Sequence, residues 1–98
     1  MRRAARIDEN QKEIVEAFRA MGCSVLHTHQ LGHGAPDIIV GKNKKNILIE
    51  IKDGNKPLSD RALTHDEIEF HKEWRGCIEI VENLQDAECI VKKYLSCG

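Results

Sequence analysis

The sequence is poor in aromatic residues and has no long apolar segment. Two Phe, one Trp and one Tyr make up 4% of its 98 residues, which excludes a surface of stacked rings like those that hold unpaired bases in single-strand-binding proteins. No apolar run approaches the roughly 18 residues that a membrane-spanning helix requires. The basic first residues have no apolar segment behind them, so we expect no secretory signal, no membrane partner and a cytoplasmic protein.

Paired cysteines and a large net charge are also missing. No C-x-x-C pair occurs among the four cysteines, which argues against a zinc ribbon or a thioredoxin-type motif and predicts reduced thiols. The net charge is −1, but residues 1–52 carry nine Lys and Arg against six Asp and Glu, whereas residues 53–98 carry six against ten. The basic surplus of the first half is compatible with a phosphate-binding surface there.

The sequence does contain the helix and strand patterns of one small domain spanning residues 1–98. The patterns predict helices at 8–22, 64–74 and from 83 onward, and strands at 24–29, 37–40, 46–52 and 77–81. A capping box formed by Thr64 and Glu67 opens the middle helix, whose buried side we assign to Phe70 and Trp74. This order predicts an α/β (α+β) fold with a mixed sheet flanked by helices.

Two acids and a lysine interrupt the apolar strands. Asp37 opens the second strand, and Glu50 and Lys52 are two residues apart in the third. Side chains two apart share a strand face, with Cα atoms about 7 Å apart. The polar turn at 41–45 makes the two strands a hairpin, which brings Asp37 alongside Glu50 and the carbonyl of Ile51. We therefore expect two carboxylates, a carbonyl and an ammonium group in one place.

These groups have a definite chemistry. Carboxylate and carbonyl oxygens bind Mg²⁺, which keeps several waters and substrate phosphate oxygens. Such a metal polarises a phosphodiester and activates a water, and a lysine beside it orients that water or stabilises the charge on phosphorus. The pattern therefore indicates phosphodiester hydrolysis. The alternative is a buried ion pair of Lys52 with Glu50 or Asp37 that has no catalytic role.

Five short motifs follow one another in the chain and together resemble a known family. They are N-Q-K-E-I-V at 10–15, G-A-P-D-I-I-V-G at 34–41, E-I-K-D-G-N-K-P at 50–57, L-T-H-D-E at 63–67 and F-H-K-E-W-R-G at 70–76. The resemblance covers roughly residues 6–82. It is similar to the VRR-NUC branch of the PD-(D/E)XK nuclease superfamily, in particular to its small stand-alone bacterial and phage members.

The resemblance implies an αβββαβ nuclease core with an extra C-terminal helix. Asp37 and Glu50 would be the metal-binding acids and Lys52 the motif lysine, with Mg²⁺ as the cofactor, Mn²⁺ as its substitute and no small-molecule cofactor. It also implies a homodimer that cuts branched DNA such as four-way (Holliday) junctions in a bacterial or phage-infected cell. A twofold dimer supplies the paired cuts that resolving a junction requires.

The first helix departs from the family pattern. The superfamily commonly adds a glutamate from this helix, but the helical face here presents Gln11, and Glu13 lies about 200° away around the axis. A neutral amide can hold a metal-bound water but brings no charge, so we expect one Mg²⁺, with Gln11 orienting the water. Three residues are secondary candidates for the site: Glu13, and Glu67 and His71 on the middle helix.

Recognition of DNA should depend on backbone shape, since no base-reading element is evident. The candidates for phosphate contacts are Lys56 and Arg61, which follow the motif, and the basic arm formed by Arg2, Arg3 and Arg6.

Three other interpretations stay open. Gln11 in place of a glutamate fits a catalytically weak or silent DNA-binding module that keeps the nuclease fold. A buried ion pair alone fits a small structural or interaction protein. His27 and His29 share a strand face and His33 follows, which is a candidate transition-metal site.

Overall fold

The computed structural model describes residues 10–96. Its strands and helices follow the predicted order, and a short extra helix lies in the segment after the third strand. The strands are β1 (Ser24–His27), β2 (Ile38–Lys42), β3 (Lys45–Ile51) and β4 (Ile78–Val81), and the helices are α1 (Gln11–Ala20), α2 (Leu58–Arg61), α3 (His65–Glu73) and α4 (Leu84–Tyr94).

The four strands form one mixed sheet in the order β1-β2-β3-β4. The first three strands are antiparallel neighbours, and β4 runs parallel to β3. A parallel pair needs a long crossover connection, which the segment containing α2 and α3 supplies. The predicted α/β architecture, a mixed sheet flanked by helices, is confirmed.

The core lies between one face of the sheet and the helices α1 and α4. In β3, every second side chain points into it, so that Ile47, Ile49 and Ile51 are all fully or almost fully buried. They pack in one cluster with buried residues of α1 such as Phe18 and of α4 such as Val91. Burial of each such side chain contributes about 1.5–3 kcal/mol. Because strand side chains alternate, the intervening Glu50 points to the opposite face.

Helix α1 is amphipathic as predicted, and Gln11 belongs to its buried stripe. Gln11 is 3% exposed, between the sheet and the helix axis with Ile14 and Phe18, whereas Glu13 is exposed. The side chain of Asn10 donates hydrogen bonds to the carbonyls of Lys52 at 3.0 Å and Glu82 at 3.2 Å. The start of α1 is therefore held at the end of β3. The predicted start at Asp8 lies outside the described residues.

The β2–β3 hairpin has a two-residue turn, shorter than the predicted 41–45. Asn43 and Lys44 both have positive φ, 55° and 66°, as in the type I′ turn that suits the twist of a hairpin. The flanking lysines donate hydrogen bonds to carbonyls after two helices, Lys42 to Met21 at 2.6 Å and Lys45 to Ser96 at 3.1 Å. Cations are favourable at helix C-termini, so these lysines stabilise the fold.

The assignment of Phe70 and Trp74 to a buried side of α3 is wrong. Helix α3 buries none of its residues, and Trp74 is 44% exposed. The two rings stack on each other with centroids 5.5 Å apart. The physical reason is that α3 lies over the polar face of the sheet and is bound there through Glu67, as shown below, instead of joining the apolar core. The predicted capping box of Thr64 and Glu67 is confirmed.

Among residues 10–96, no helix is long and apolar enough to cross a membrane. Within the same range, Cys23 is buried, whereas Cys77 and Cys89 are exposed, and all three are free thiols. Burial raises the pKa of the Cys23 thiol, although the charge of Lys42 opposes the shift.

Candidate functional site

Strands β2 and β3 separate at Asp37, and we call the site formed there by Asp37, Glu50, Ile51 and Lys52 the fork. The last register pair is Ile38 with Ile49, and the N–H of Asp37 donates to the carbonyl of that same Ile49 at 3.0 Å. Asp37 and Ile38 thus both face Ile49, as in a β-bulge. A bulge of this kind changes the direction of a side chain, here that of Asp37. The redirected carboxylate of Asp37 accepts a 2.7 Å hydrogen bond from the N–H of Ile51.

Thr28 holds the backbone of the acid-bearing segment. Its N–H donates to the carbonyl of Asp37 at 2.9 Å, and its hydroxyl donates to the carbonyl of Pro36 at 2.7 Å. Thr28 is 9% exposed. Sequence reasoning assigned this residue to a strand and gave it no role, because nothing local in the sequence pairs it with a residue eight positions later.

Strand geometry directs the carbonyl of Ile51 toward the fork. The N–H groups of Leu48 and Lys52 donate to the carbonyls of Cys77, just before β4, and Val81, in β4. The even-numbered residues therefore direct their backbone groups to β4 and the odd-numbered residues to β2, because the N–H and C=O of one strand residue point to the same side of the strand. Since the N–H of Ile51 meets the carboxylate of Asp37, its carbonyl is directed to the same gap.

Glu50 is buried, and its environment disfavours its charged form. It is 2% exposed, and its Oε1 accepts no hydrogen bond. Burial raises the pKa of Glu50 to about 10, with the charges of Asp37 and Glu67 acting in the same direction and Lys52 only partly opposing them. Without a cation in the fork, this carboxyl group therefore holds a proton at neutral pH.

Lys52 pairs with a carboxylate that comes from α3. Its Nζ lies 2.8 Å from Glu67 Oε1 and 3.9 Å from Glu50 Oε2. Burial acts to raise the pKa of Glu67, but the hydrogen bonds from Lys52 and from the N–H of Thr64 outweigh it, so this pKa is lowered. The pKa values of the two carboxyl groups near Lys52 are thus shifted in opposite directions. Lys52 lies closer to Glu67 than to Glu50, one of the partners that the alternative interpretation supposed.

His71 completes the group on the α3 side. Its Nε2 lies 4.0 Å from Glu50 Oε1, and neither atom has a hydrogen-bond partner. Burial lowers the pKa of His71, Glu67 opposes the shift and Lys52 adds to it, so the imidazole is neutral at neutral pH. The structure therefore brings two of the three secondary candidates, Glu67 and His71, to the fork. They are four residues apart on one helix side, which is the signal that relates them in the sequence.

Gln11 and Glu13 occupy different surroundings. Gln11 lines a cleft of about 390 Å³ between α1 and β1, together with His27 and His29. Its Oε1 is buried and accepts no hydrogen bond. Glu13 faces another cleft beside the start of α4, with Asn83 among its lining residues. Of the two, only Gln11 is buried, and none of the fork residues lines its cleft.

The candidates for phosphate contacts are partly engaged with the protein itself. Arg61 donates to the carbonyl of Lys56 at 2.8 Å and forms an ion pair with Glu82 at 3.2 Å. Lys56 is half-buried. The arm of Arg2, Arg3 and Arg6 lies outside the described residues.

The fork offers oxygen ligands for a cation. Within the described residues, no group of three or more His, Cys, Asp and Glu side chains is arranged to hold a metal ion. Asp37 and Glu50 supply two carboxylates, Ile51 supplies a carbonyl, and the buried Oε1 of Glu50 lacks a partner. A donor set of this size suits Mg²⁺, which takes one or two carboxylates and completes its octahedron with waters and phosphate oxygens.

Comparisons of the chain with protein-family models, with curated proteins and with solved structures find no match. Chemically, the fork can hold a divalent cation on two acids with an ammonium group within 3.9 Å of one of them.

Proposed function

We propose that this protein is a Mg²⁺-dependent, structure-selective DNA endonuclease that hydrolyses phosphodiester bonds in branched DNA such as four-way junctions. The observation that carries the proposal is the construction of the fork. Asp37 accepts the N–H of Ile51, which places its carboxylate beside the Ile51 carbonyl, and Glu50 brings a buried oxygen with no partner. The series of motifs that resembles the VRR-NUC nucleases supports the same activity.

Each residue of the fork then has a role. Asp37, Glu50 and the Ile51 carbonyl would hold the cation, which supplies a polarised phosphodiester and an acidified water. In the reaction, the water oxygen forms a bond to phosphorus, the bond to the leaving oxygen breaks, and the leaving oxygen takes up a proton. Lys52 would stabilise the negative charge that develops on the phosphoryl oxygens. Gln11 would orient the water through its amide.

A panel of labelled DNAs tests this function. The protein is incubated in Mg²⁺ or Mn²⁺ with four DNAs: a four-way junction, a flap, a replication-fork structure and a linear duplex. The Asp37→Asn variant is compared with the wild-type protein. We expect cleavage of a branched substrate and its loss in Asp37→Asn, while binding in Ca²⁺ persists. Asp60→Asn, at an exposed position in α2, is the control and should cut normally. Wild-type protein that cuts none of the DNAs would contradict the proposal.

The active form would be a homodimer, since one fork per chain cuts one strand. Sedimentation on a four-way junction tests the dimer, and a complex of one chain per junction would rule out symmetrical resolution. Binding should also weaken steeply with salt.

A catalytically silent DNA-binding module is the second candidate. It is favoured by Gln11, a neutral residue at the position where related nucleases commonly carry an acid, and by the small number of acids at the fork. The same panel separates the two candidates, because a silent module binds branched DNA without cutting it in either metal.

A further inference from the structure

Glu67 links Lys52 to the start of α3. Its Oε1 accepts a hydrogen bond from the Lys52 ammonium at 2.8 Å and another from the N–H of Thr64 at 2.9 Å. The hydroxyl of Thr64 in turn accepts the N–H of Glu67 at 3.2 Å. One carboxylate oxygen thus serves both the helix cap and the lysine of the fork.

The ion pair of Lys52 and Glu67 is largely buried. The side chains of Lys52 and Glu67 are 11% and 18% exposed. An ammonium group withdrawn from water needs a charged partner, because its desolvation is otherwise uncompensated. The same ammonium group lies 3.9 Å from Glu50 Oε2. If Glu67 were removed, the ammonium group would move toward Glu50.

We propose that Glu67 is a positioning residue that holds the Lys52 ammonium away from Glu50 and so leaves Glu50 available to a divalent cation. The inference rests on the proposed function. A divalent cation displaces the proton of Glu50 when it binds, and an ammonium group beside the ionised carboxylate would then compete with the cation for the same oxygens, since both are attracted by its negative charge. Glu67 therefore acts on the cation through Lys52 and without being a ligand.

Two sets of contacts hold Glu67 in place. The capping box fixes the side chain of Glu67, and the loop before the fork packs directly on the first turn of α3. A Cβ atom on Gly34 would lie 2.2 Å from the carbonyl oxygen of Asp66 and 2.9 Å from the N atom of Glu67. Supporting contacts of this kind are what keep a functional side chain in a defined position.

Three single variants and one double variant separate the roles of Glu67. Glu67→Gln retains the cap, because Gln closes a capping box as Glu does, but it removes the charge that holds Lys52. Thr64→Ala removes the other half of the cap and keeps the carboxylate. Lys52→Met, alone and combined with Glu67→Gln, completes a double-mutant cycle. The measurements are the ¹⁵N NMR signal of the Lys52 ammonium in metal-free protein and calorimetric titration with Mg²⁺ or Mn²⁺.

In the wild-type protein we expect an ammonium signal protected from solvent exchange, which Thr64→Ala keeps and Glu67→Gln loses. Cation affinity should fall about tenfold in Glu67→Gln, which corresponds to about 1.4 kcal/mol. In the Lys52→Met background the same substitution should change affinity by less than about twofold, because the pathway through Lys52 is gone.

Two outcomes would overturn the inference. One is an unchanged ammonium signal in Glu67→Gln. The other is an equal loss of cation affinity with and without Lys52, which would mean that Glu67 acts on the cation directly through its charge. If the ammonium signal behaves as expected but no divalent cation binds the wild-type protein, the proposed function fails, and the hold of Glu67 on Lys52 stands as a purely structural contact.

Discussion

The carboxylate of Asp37 and the backbone N–H of Ile51 are joined by a 2.7 Å hydrogen bond at the point where β2 and β3 separate. In a regular hairpin, the N–H of Ile51 would donate to a backbone carbonyl. The acid that we assign to the cation is therefore also the group that satisfies the strand end. Substitutions at Asp37 should change stability and activity by separable amounts.

Asp37→Ala should be less stable than Asp37→Asn by about 1–3 kcal/mol, the cost of a buried N–H left without an acceptor. Asn keeps an acceptor oxygen for the Ile51 N–H, whereas Ala does not. Both variants lack the Asp37 charge that opposes ionisation of Glu50, so this effect is common to the two. Urea denaturation of both variants in EDTA measures the difference. Equal stability of the two variants would show that the hydrogen bond contributes nothing to the stability of the fold. Both variants should fail to cleave branched DNA.

Glu50→Gln should stabilise the metal-free protein increasingly as pH rises. The pKa of Glu50 is raised from 4.5 to about 10, so the folded state binds the proton more tightly than the unfolded state does. Stability is then lost as pH rises through this window, by at most about 1.4 kcal/mol per pH unit. Gln cannot ionise and escapes this loss.

Denaturation at several values between pH 5 and 9 measures the effect, with Glu88→Gln, at an exposed position in α4, as the control. The difference between Glu50→Gln and wild type should widen with pH, and saturating Mg²⁺ should narrow it. A difference that stays constant with pH would mean that Glu50 ionises normally in the folded protein.

Gly34→Ala should be much more damaging than Gly32→Ala. Both glycines have positive φ, 80° and 76°, but a Cβ at Gly32 meets no atom within 4 Å, whereas one at Gly34 lies 2.2 Å from a backbone oxygen of α3. The positive φ costs about 1–3 kcal/mol in each variant. Gly34→Ala must also displace the first turn of α3, so it alone should lose the protected Lys52 ammonium signal. Similar losses of stability and signal in the two variants would contradict this packing.

Lys44→Gly should stabilise the fold by several tenths of a kcal/mol, up to about 1 kcal/mol. Lys44 has φ 66° in the hairpin turn and is exposed. A lysine pays a steric penalty at this positive φ and Gly does not. In this turn the relief of that penalty outweighs the greater conformational entropy that Gly loses on folding. Lys44→Val, whose branched side chain resists positive φ, should destabilise it. Thermal denaturation compares the two. DNA binding should be unchanged in Lys44→Gly, because we assign phosphate contacts to other residues.

Local patterns in the sequence predicted most of the fold. Alternation in 46–52 predicted β3 and placed Glu50 and Lys52 on the face away from the isoleucines, and the capping box predicted the start of α3. The turn was predicted too long, because Asn43 and Lys44 reach positive φ only under the twist of the two paired strands. The burial of Phe70 and Trp74 was predicted wrongly, because periodicity shows which side of a helix is apolar but not what that side meets.

By itself, then, the sequence determined the order of the elements and the presence of Asp37, Glu50 and Lys52 on adjoining strands, since both follow from the short periods of helix and strand. Only the tertiary structure decided that Asp37 closes the end of β3 and that Lys52 pairs with Glu67 in preference to Glu50. These contacts join residues 14 and 15 positions apart. They depend on a bulge and on the path of α3 over the sheet, and no local pattern encodes either.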